Sequence, residues 1–325
     1  GLSDGGFAVT WHSRHQDGDD QGIFGQRFDA SGNKSGAEFQ VNTHTTSFQQ
    51  YSAVTSLTDG GFVVTWHDDS GHDGSDYGVF GQRYSSSGSA TGSQFQINST
   101  TASDQAYPSI SSLSGGGFVA TWTDYSGEDG SGKGIFGQRY DASGNKVASE
   151  FQINTHTSGD QSWSDIASLP NGGFVVTWNS SGQDSSGEGV YAQRYSSSGE
   201  KDGTEFRVNT YQTGNEMHSE VTALNDGGYV VIWYSDTHTD DTNYGIHGQR
   251  FDASGAAVGS QFLVNTDTSN AQQYPEIAPL ADGGFVIAWQ SYTQDGSGYG
   301  IYAQRFSSAI TPANTTINFN NLGLT

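Results

Sequence analysis

The sequence predicts an all-β fold, a six-bladed β-propeller of four-stranded antiparallel blades whose first blade lacks one strand. The first observation is a motif that recurs at steps of 55 or 56 residues and ends at Trp11, Trp66, Trp122, Trp178, Trp233 and Trp289. The second is that the segments between Gly-rich and Ser-rich turns are short and alternate apolar with polar residues. No stretch has convincing helical periodicity.

Each repeat divides into four strands, which the third repeat shows in order. Segment 106–113, AYPSISSL, leads through a glycine turn to segment 117–122, GFVATW. An Asp-Gly-Ser loop precedes segment 134–141, and the turn ASGNK precedes segment 149–154, SEFQIN. Short loops between neighbouring strands predict antiparallel meanders. A closed propeller is the favoured arrangement, and an open superhelical array or a β-solenoid is the alternative.

Six repeats in register account for nearly the whole chain, so residues 1–325 are predicted to form one propeller domain. The chain begins at Gly1, at the turn before a second strand, so the first blade is expected to have three strands unless its missing strand lies elsewhere. A partner could supply that strand by strand addition. Because no initiator Met is present, we expect a processed or excised part of a longer protein.

Two recurring side chains are expected to build the scaffold. The Phe and Trp of GFVVTW share one strand face and are predicted to pack between blades. The Arg of a Gln-Arg pair occurs in all six repeats and needs a polar partner if its stem is buried. The hairpin turn suggests that these partners are Glu or Gln residues, namely Glu38, Gln94, Glu150, Glu205 and Gln261.

Charge and composition limit the classes of molecule that the protein can bind. The net charge is −23, with 12 Lys and Arg against 35 Asp and Glu, so the surface repels nucleic acid and anionic membranes. No apolar run approaches the roughly 20 residues that span a bilayer. The sequence has no Cys, which excludes disulfides and thiolate metal sites. We therefore predict neither nucleic-acid binding nor membrane insertion.

An aspartate recurs in the loop between the second and third strands of every repeat. Asp-Gly is a strong turn pair, so a structural turn is one interpretation. The other is Ca²⁺ binding, because hard cations take oxygen ligands and these loops offer carboxylates at short spacing. The candidate ligands of such structural calcium ions are Asp17, Asp19, Asp73, Asp76, Asp129, Asp184, Asp240, Asp241 and Asp295.

An aromatic residue or a histidine recurs at the start of the first strand, near the axis expected of a propeller. These residues either pack between blades or stack on sugar rings. They are Tyr51, Tyr107, Trp163, His218 and Tyr274. Two residues earlier a polar side chain recurs, and Gln105, Gln161 and Glu216 are predicted to supply hydrogen bonds to such a ligand.

The fifth repeat departs from the pattern. Glu216 replaces Gln, His218 replaces an aromatic residue, and His247 replaces Phe or Tyr, with His238 in the loop beside Asp240. Drift in a tolerant blade explains these exceptions, and a special metal or acid–base site is the alternative. Carboxylates are plentiful enough for a two-carboxylate glycosidase, but the sequence singles out no pair.

The unit DGGFVVTW…QDGSGYGIYAQRF…EFQVNT resembles repeats of large secreted bacterial proteins of the haemolysin-type, RTX-like calcium-binding group. The resemblance covers essentially the whole chain. It implies an exported protein, secreted or held at the cell surface, in a calcium-rich exterior. The glycine-rich nonapeptide GGxGxDxxx of that group is absent from this chain, so its calcium site cannot be transferred.

Taken together, the sequence predicts a secreted or cell-surface binding or adhesion module, stabilised by calcium and without enzymatic activity. Its expected partner is a carbohydrate or another cell-surface ligand. A multivalent carbohydrate-binding lectin is the alternative, and a glycan-active hydrolase is the third possibility.

Overall fold

A computed structural model describes residues 1–236 and 244–310 of the chain and the backbone of residues 312–318. These segments contain twenty-three β-strands and no helix. A helix long and apolar enough to span a membrane is therefore absent from the described residues. The chain divides into two compact units, Gly1–Ser164 and Asp165–Thr325. The single domain over residues 1–325 stays a prediction.

The first three blades hold the strands β1 to β11. Blade 1 contains β1 (Phe7–Arg14), β2 (Gln21–Phe28) and β3 (Phe39–Gln40). Blade 2 contains β4 (Gln49–Ser56), β5 (Phe62–Asp68), β6 (Gly78–Tyr84) and β7 (Ala90–Gln96). Blade 3 contains β8 (Gln105–Ser112), β9 (Phe118–Asp124), β10 (Gly134–Tyr140) and β11 (Lys146–Gln152).

The last three blades hold β12 to β23. Blade 4 contains β12 (Gln161–Ser168), β13 (Phe174–Ser181), β14 (Glu188–Tyr195) and β15 (Phe206–Arg207). Blade 5 contains β16 (Glu216–Ala223), β17 (Tyr229–Ser235), β18 (Gly245–Phe251) and β19 (Ala257–Leu263). Blade 6 contains β20 (Gln272–Pro279), β21 (Phe285–Tyr292), β22 (Tyr299–Phe306) and β23 (Pro312–Asn318).

Every sheet is an antiparallel meander in which consecutive strands pair, as the short loops predict. Five sheets have four strands and the sheet of blade 1 has three, which confirms the predicted all-β, six-bladed propeller with an incomplete first blade. Strand β1 pairs with β2 on one edge only among the described strands. An unpaired edge is a template for another strand, so strand donation at blade 1 remains a proposal.

The core lies between blades, as predicted. Trp122 and Phe118 of blade 3 are fully buried against Val63 and Val79 of blade 2. In the second unit, Trp289 of blade 6 packs in the same way against blade 5. Within each unit, the aromatic face of one blade therefore packs against the branched aliphatic face of the blade before it. Removing one such Trp would cost about 3–5 kcal/mol.

The Gln of the GQR motif fills a β-bulge in blades 2, 3 and 5. The pairing of β10 with β11 shifts register between Gly137 and Arg139, which leaves Gln138 without a partner on β11. Its buried amide donates to the carbonyl of Arg139 at 2.9 Å and to that of Ala148 at 3.3 Å. The side chain thereby replaces the ladder hydrogen bonds that the bulge removes, which explains why Gln recurs there.

The Arg of GQR reaches the next blade. Arg83 Nη2 of blade 2 donates to the carbonyl of Ala142 in blade 3 at 2.9 Å and lies 3.6 Å from Asp59. Arg194 of blade 4 donates to the carbonyls of Ala253 and Ser254 in blade 5. We call this contact the arginine latch.

The prediction that Glu or Gln residues pair with these Arg side chains is wrong. The Glu and Gln side chains accept hydrogen bonds from backbone N–H groups of the preceding blade. Glu150 accepts from the N–H of Ser99 at 2.5 Å, and Gln94 accepts from the N–H of Thr43 at 2.8 Å. Both contacts join a fourth strand to the blade before it. The recorded acidic partner of Arg83 is an Asp, and the same holds for Arg27, Arg194, Arg250 and Arg305.

The latch predicts that Arg194→Ala destabilises the protein while Arg14→Ala does not. The Arg194 side chain is 11% exposed, whereas that of Arg14 is 67% exposed. Loss of the charged hydrogen bonds that this largely buried guanidinium makes should lower the free energy of unfolding by about 1.5–3 kcal/mol, against less than about 0.5 kcal/mol for the control. Urea unfolding of the two variants measures this difference, and equal midpoints would contradict the latch.

Candidate active site

The first strand of blades 2 to 6 carries a strained residue at one equivalent position. The φ angles lie between 50° and 57° at non-glycine residues, namely Tyr51, Tyr107, Trp163, His218 and Tyr274. At four of these, a register shift against the neighbouring strand marks a bulge. Bulky residues avoid the left-handed region, and each such residue costs of order 1 kcal/mol. These are the aromatic positions that the sequence singled out.

In the first unit, three of these side chains contact one another. The ring centroids of Tyr107 and Trp163 are 3.8 Å apart, and those of Tyr51 and Tyr107 are 4.8 Å apart. Tyr51 is 46% exposed. The buried His67 lies beneath them and accepts the N–H of Tyr107 at 3.3 Å. Burial lowers the pKa of His67 to about 4, so its ring is neutral near pH 7.

In the second unit, His218 and Tyr274 form the corresponding pair. Their ring centroids lie 5.1 Å apart in an edge-on arrangement, and His218 also stacks on Tyr234 at 5.4 Å. Burial lowers the pKa of His218. Tyr274 is 52% exposed, and Glu276 follows it two residues later on the same strand.

The polar residues two positions earlier belong to the scaffold. Gln105 and Gln161 are fully buried, and they accept hydrogen bonds from Asn98 at 2.9 Å and from Asn154 at 3.0 Å. Each Asn also accepts the N–H of a third-strand residue, such as Ile135 at 2.8 Å. Both Gln side chains are therefore used inside the protein, which gives them no free face for the predicted sugar contact.

Glu216 occupies the same buried position in blade 5. It accepts from Asn209 Nδ2 at 3.0 Å and is 1% exposed. Burial, followed by the charges of Asp184 and Asp236, raises the pKa of Glu216 to about 8. A protonated Glu has nearly the shape of Gln and one donor, which explains how the substitution is tolerated. Glu216 was predicted to contact a ligand, but it is buried and accepts a hydrogen bond from Asn209 inside blade 5.

Three carboxylates occupy a position that the sequence interpretation passed over, two residues after the strained ring. They are Asp165 on β12, Glu220 on β16 and Glu276 on β20, while Ala53 and Ser109 occupy this position in blades 2 and 3. All three lie in the second unit. The sequence does contain a signal for these residues, because the repeat changes from Ala or Ser to a carboxylate at this position. A catalytic site that occurs once in the protein should depart from the repeat in this way.

These carboxylates interact directly. The N–H of Val221 donates to Asp165 Oδ2 at 2.9 Å, and the side chains of Asp165 and Glu220 are hydrogen-bonded to each other. A carboxyl–carboxylate hydrogen bond requires one proton between two groups. Burial first, and then the charges of Asp165 and Glu276, raise the pKa of Glu220 well above its usual range. Glu220 therefore holds its proton to a higher pH than a free Glu, and that proton lies in the hydrogen bond to Asp165.

Glu276 is the most accessible of the three. The residue is exposed, whereas Asp165 and Glu220 are half-buried. Partial desolvation and the negative charge of Asp165 raise the pKa of Glu276 to about 7. The site thus combines a carboxyl group that is partly protonated near neutral pH with an anionic pair. Those are the components of general acid–base catalysis.

The loop aspartates form Asx turns. In each described loop a carboxylate oxygen accepts the N–H two residues on, as in Asp129 with Ser131 at 3.1 Å. The same bond is made by Asp17, Asp73, Asp184 and Asp295. Asp129 Oδ2 also accepts from Asn154 at 3.0 Å, which connects the loop to the buried Asn–Gln contact.

The same carboxylate explains a recurring glycine. A Cβ on Gly134 would lie 2.9 Å from Asp129 Oδ2, so the aspartate occupies the space of a missing side chain. The equivalent contacts at Gly22 and Gly78 are closer still. The Asp therefore fits only where the residue at the start of the third strand has no side chain, as is true of Gly.

Calcium binding stays a prediction. Within the described residues no group of three or more His, Asp or Glu is placed to hold a metal ion. Asp19 and Asp76 are exposed, and Asp240 and Asp241 lie outside the described residues, as does His238.

Solved structures share this fold. No family model and no curated protein matches the chain. An α-L-arabinanase from Penicillium chrysogenum, complexed with arabinobiose, is 12% identical, with a TM-score of 0.62 over 93% of this chain and 90% of that chain. A protein of unknown function from Dyadobacter fermentans is 10% identical, with a TM-score of 0.61 over 94% and 91%. The polysaccharide lyase Uly1 is 9% identical, with a TM-score of 0.59 over 98% and 79%.

At these identities the likeness shows the fold. It also corrects the expectation that the protein is not an enzyme, because an arabinanase matches over nine-tenths of the chain. That expectation assumed that a regular propeller without a conspicuous catalytic motif indicates a binding module. The three carboxylates Asp165, Glu220 and Glu276, which depart from the repeat, argue against that assumption.

The Asp–Gly contact predicts that Gly134→Ala is destabilising while Gly115→Ala is neutral. A Cβ at residue 134 meets the Asp129 carboxylate, whereas a Cβ at residue 115 meets nothing within 4 Å. Thermal or urea unfolding should show a loss of about 1–3 kcal/mol for the first variant only. A Gly134→Ala variant as stable as its control would contradict the structural role of the aspartate.

The raised pKa of Glu216 predicts that Glu216→Gln stabilises the folded protein, and that the gain in the free energy of unfolding grows as the pH rises. The folded pKa of about 8 lies above the unfolded value near 4.3, so ionisation costs stability as pH rises between these values. The two proteins should have similar free energies of unfolding near pH 4, and the variant should be more stable by at least about 1 kcal/mol at pH 8. Unfolding curves at both pH values test this, with the exposed Glu200→Gln as control; a constant difference would contradict the raised pKa.

Proposed function

We propose that the protein is a glycan-active hydrolase whose catalytic carboxyl groups are Asp165, Glu220 and Glu276. The observation that carries the proposal is the hydrogen-bonded Asp165–Glu220 pair with Glu276 beside it, at an inner-strand position that Ala53 and Ser109 occupy in blades 2 and 3. The fold shared with an arabinanase supports it, as does the exposed Tyr274 ring on the strand of Glu276.

Each group has a role that its environment supports. Glu276, accessible and partly protonated, donates its proton to the glycosidic oxygen as the bond from that oxygen to the anomeric carbon breaks. The anionic oxygen of the Asp165–Glu220 pair accepts a proton from the water whose oxygen bonds to the anomeric carbon. The pair then releases that proton to solvent and Glu276 regains one, which restores the starting state. Val221 orients the pair through its N–H.

Charge favours a neutral glycan as the substrate. The net charge is −23, and the site itself carries carboxylates, so a polyanionic sugar polymer would be repelled. A neutral furanose or pyranose ring can stack on an exposed tyrosine through its apolar face. Arabinan is the first substrate to test, since the matched arabinanase was crystallised with arabinobiose.

Carbohydrate binding at the aromatic cluster of the first unit is a second proposal. It rests on the strained backbone that holds Tyr51, Tyr107 and Trp163, together with the exposure of Tyr51. The strain is repeated in every blade that has a first strand, and strained positions concentrate at ligand sites. A secreted or cell-surface location accords with a polymeric glycan as ligand and is proposed with it.

The hydrolase proposal predicts that Glu220→Gln and Glu276→Gln each lower kcat by about 10²–10⁴-fold on the substrate that the protein cleaves. Release of reducing ends from arabinan and a panel of neutral polysaccharides measures this, with Glu200→Gln as a matched control that keeps full activity. Activity should fall as pH rises above about 7, because Glu276 loses its proton. No release from the whole panel, or full activity in both variants, would overturn the proposal.

A further inference from the structure

His67 stands at a position where the repeat varies. This position directly follows the Trp of the GFVVTW motif, on the second strand of each blade. Its occupants in blades 1 to 6 are His12, His67, Thr123, Asn179, Tyr234 and Gln290. The scaffold does not restrict this position to one residue type, so its occupant in each blade can serve a local function.

In the first unit, this position provides a hydrogen-bond acceptor for the next blade. The strained Trp163 donates its backbone N–H to Thr123 Oγ1 at 3.1 Å. His67 performs the same task one blade earlier, because its Nδ1 accepts the N–H of the strained Tyr107 at 3.3 Å. A threonine hydroxyl is therefore sufficient for the structural contact, and the second nitrogen of His67 is not needed for it.

That second nitrogen is a buried hydrogen-bond donor. Burial lowers the pKa of His67 to about 4, so the ring is neutral near pH 7. Because Nδ1 accepts a hydrogen bond, Nε2 carries the proton of the neutral ring. His67 is 3% exposed, and its Nε2 has no hydrogen-bond partner among the described residues. A buried donor without a partner lowers stability, so an acceptor that a ligand brings would satisfy it.

Aromatic rings surround this donor. The ring centroids of Tyr51 and Tyr77 each lie 5.0 Å from that of His67. The ring of Tyr107 follows at 5.5 Å and itself packs on Trp163 at 3.8 Å. A sugar suits this combination, because its hydroxyl oxygens accept hydrogen bonds and its apolar face stacks on a ring. An anion is a poorer acceptor here, since the net charge of the protein is −23.

We propose that His67 determines the polar specificity of the carbohydrate site in the first unit. Its Nε2–H donates to a hydroxyl oxygen of a neutral sugar that stacks on Tyr51, and the Tyr51 ring, which is 46% exposed, rotates to admit that hydroxyl. Side chains at binding surfaces commonly change rotamer when a ligand binds. This role of His67 rests on the carbohydrate binding proposed above for the aromatic cluster, to which it adds the polar contact.

Replacing His67 with the residue of blade 3 tests this role. His67→Thr keeps an acceptor for the N–H of Tyr107, as Thr123 does for Trp163, and it removes the Nε2–H. Isothermal titration calorimetry with arabinotriose and a panel of other neutral oligosaccharides should show binding that is weaker by about fivefold to tenfold.

The background and the control make the titration specific. All titrations use the Glu220→Gln, Tyr274→Ala protein, which lacks one proposed catalytic carboxyl group and the exposed ring of the second unit. The matched control is His156→Thr, because Thr100 occupies the equivalent position one repeat earlier. The control should bind the sugars as tightly as the background protein does.

A measurement on the unsubstituted histidine covers the case in which circular dichroism melts show that His67→Thr is not folded. In protein with isotope-labelled histidine, the NMR signal of the His67 Nε2–H, assigned through its contact with the Tyr107 amide, should shift when the tightest-binding sugar is added. The signals of the exposed His15 should not shift.

The possible results separate the proposals from one another. Unchanged affinity in His67→Thr, or an unshifted Nε2–H signal, together with loss of binding in Tyr51→Ala, would overturn the role of His67 and leave the aromatic site standing. No binding of any sugar in the panel would overturn both. Hydrolysis by the second unit is judged separately, by the release of reducing ends.

Discussion

The packing of each blade on the next is the interaction on which the rest of the structure depends. A meander of four short strands is too thin to bury its own side chains, so both faces of an inner blade need neighbours. The buried Trp122 and Phe118 fill the space against the aliphatic face of blade 2. This requirement explains why GFVVTW recurs with so little change.

The polar residues that recur in the repeats, namely Gln, Asp and Asn, also serve this packing. Bulges let the strands twist, and a Gln side chain replaces the hydrogen bonds that each bulge removes, as Gln138 does. The loop aspartate, the glycine it faces and the buried Asn–Gln contact form one connected set in the third repeat, from Asp129 to Gln161. Residues present in every repeat therefore serve the blade, and only departures from the repeat are free to carry chemistry.

The sequence was sufficient for the repeat, the strands, the incomplete first blade and the core, because spacing and alternation determine all four. It was insufficient for contacts between blades. Arg83 binds a carbonyl 59 residues away, and no local pattern points to Ala142. Glu216 looked like a ligand contact because the sequence does not show burial. Glu220 and Glu276 were passed over because the comparison of repeats followed the conspicuous aromatic and Gln positions and missed the next change along the strand.

The direct test of the central claim is a crystal structure of the Glu220→Gln protein soaked with a neutral oligosaccharide such as arabinotriose. The account predicts a sugar chain with a glycosidic oxygen within hydrogen-bond distance of the Glu276 carboxyl and a ring against Tyr274. A sugar bound only elsewhere, with Glu276 and Asp165 untouched, would contradict it.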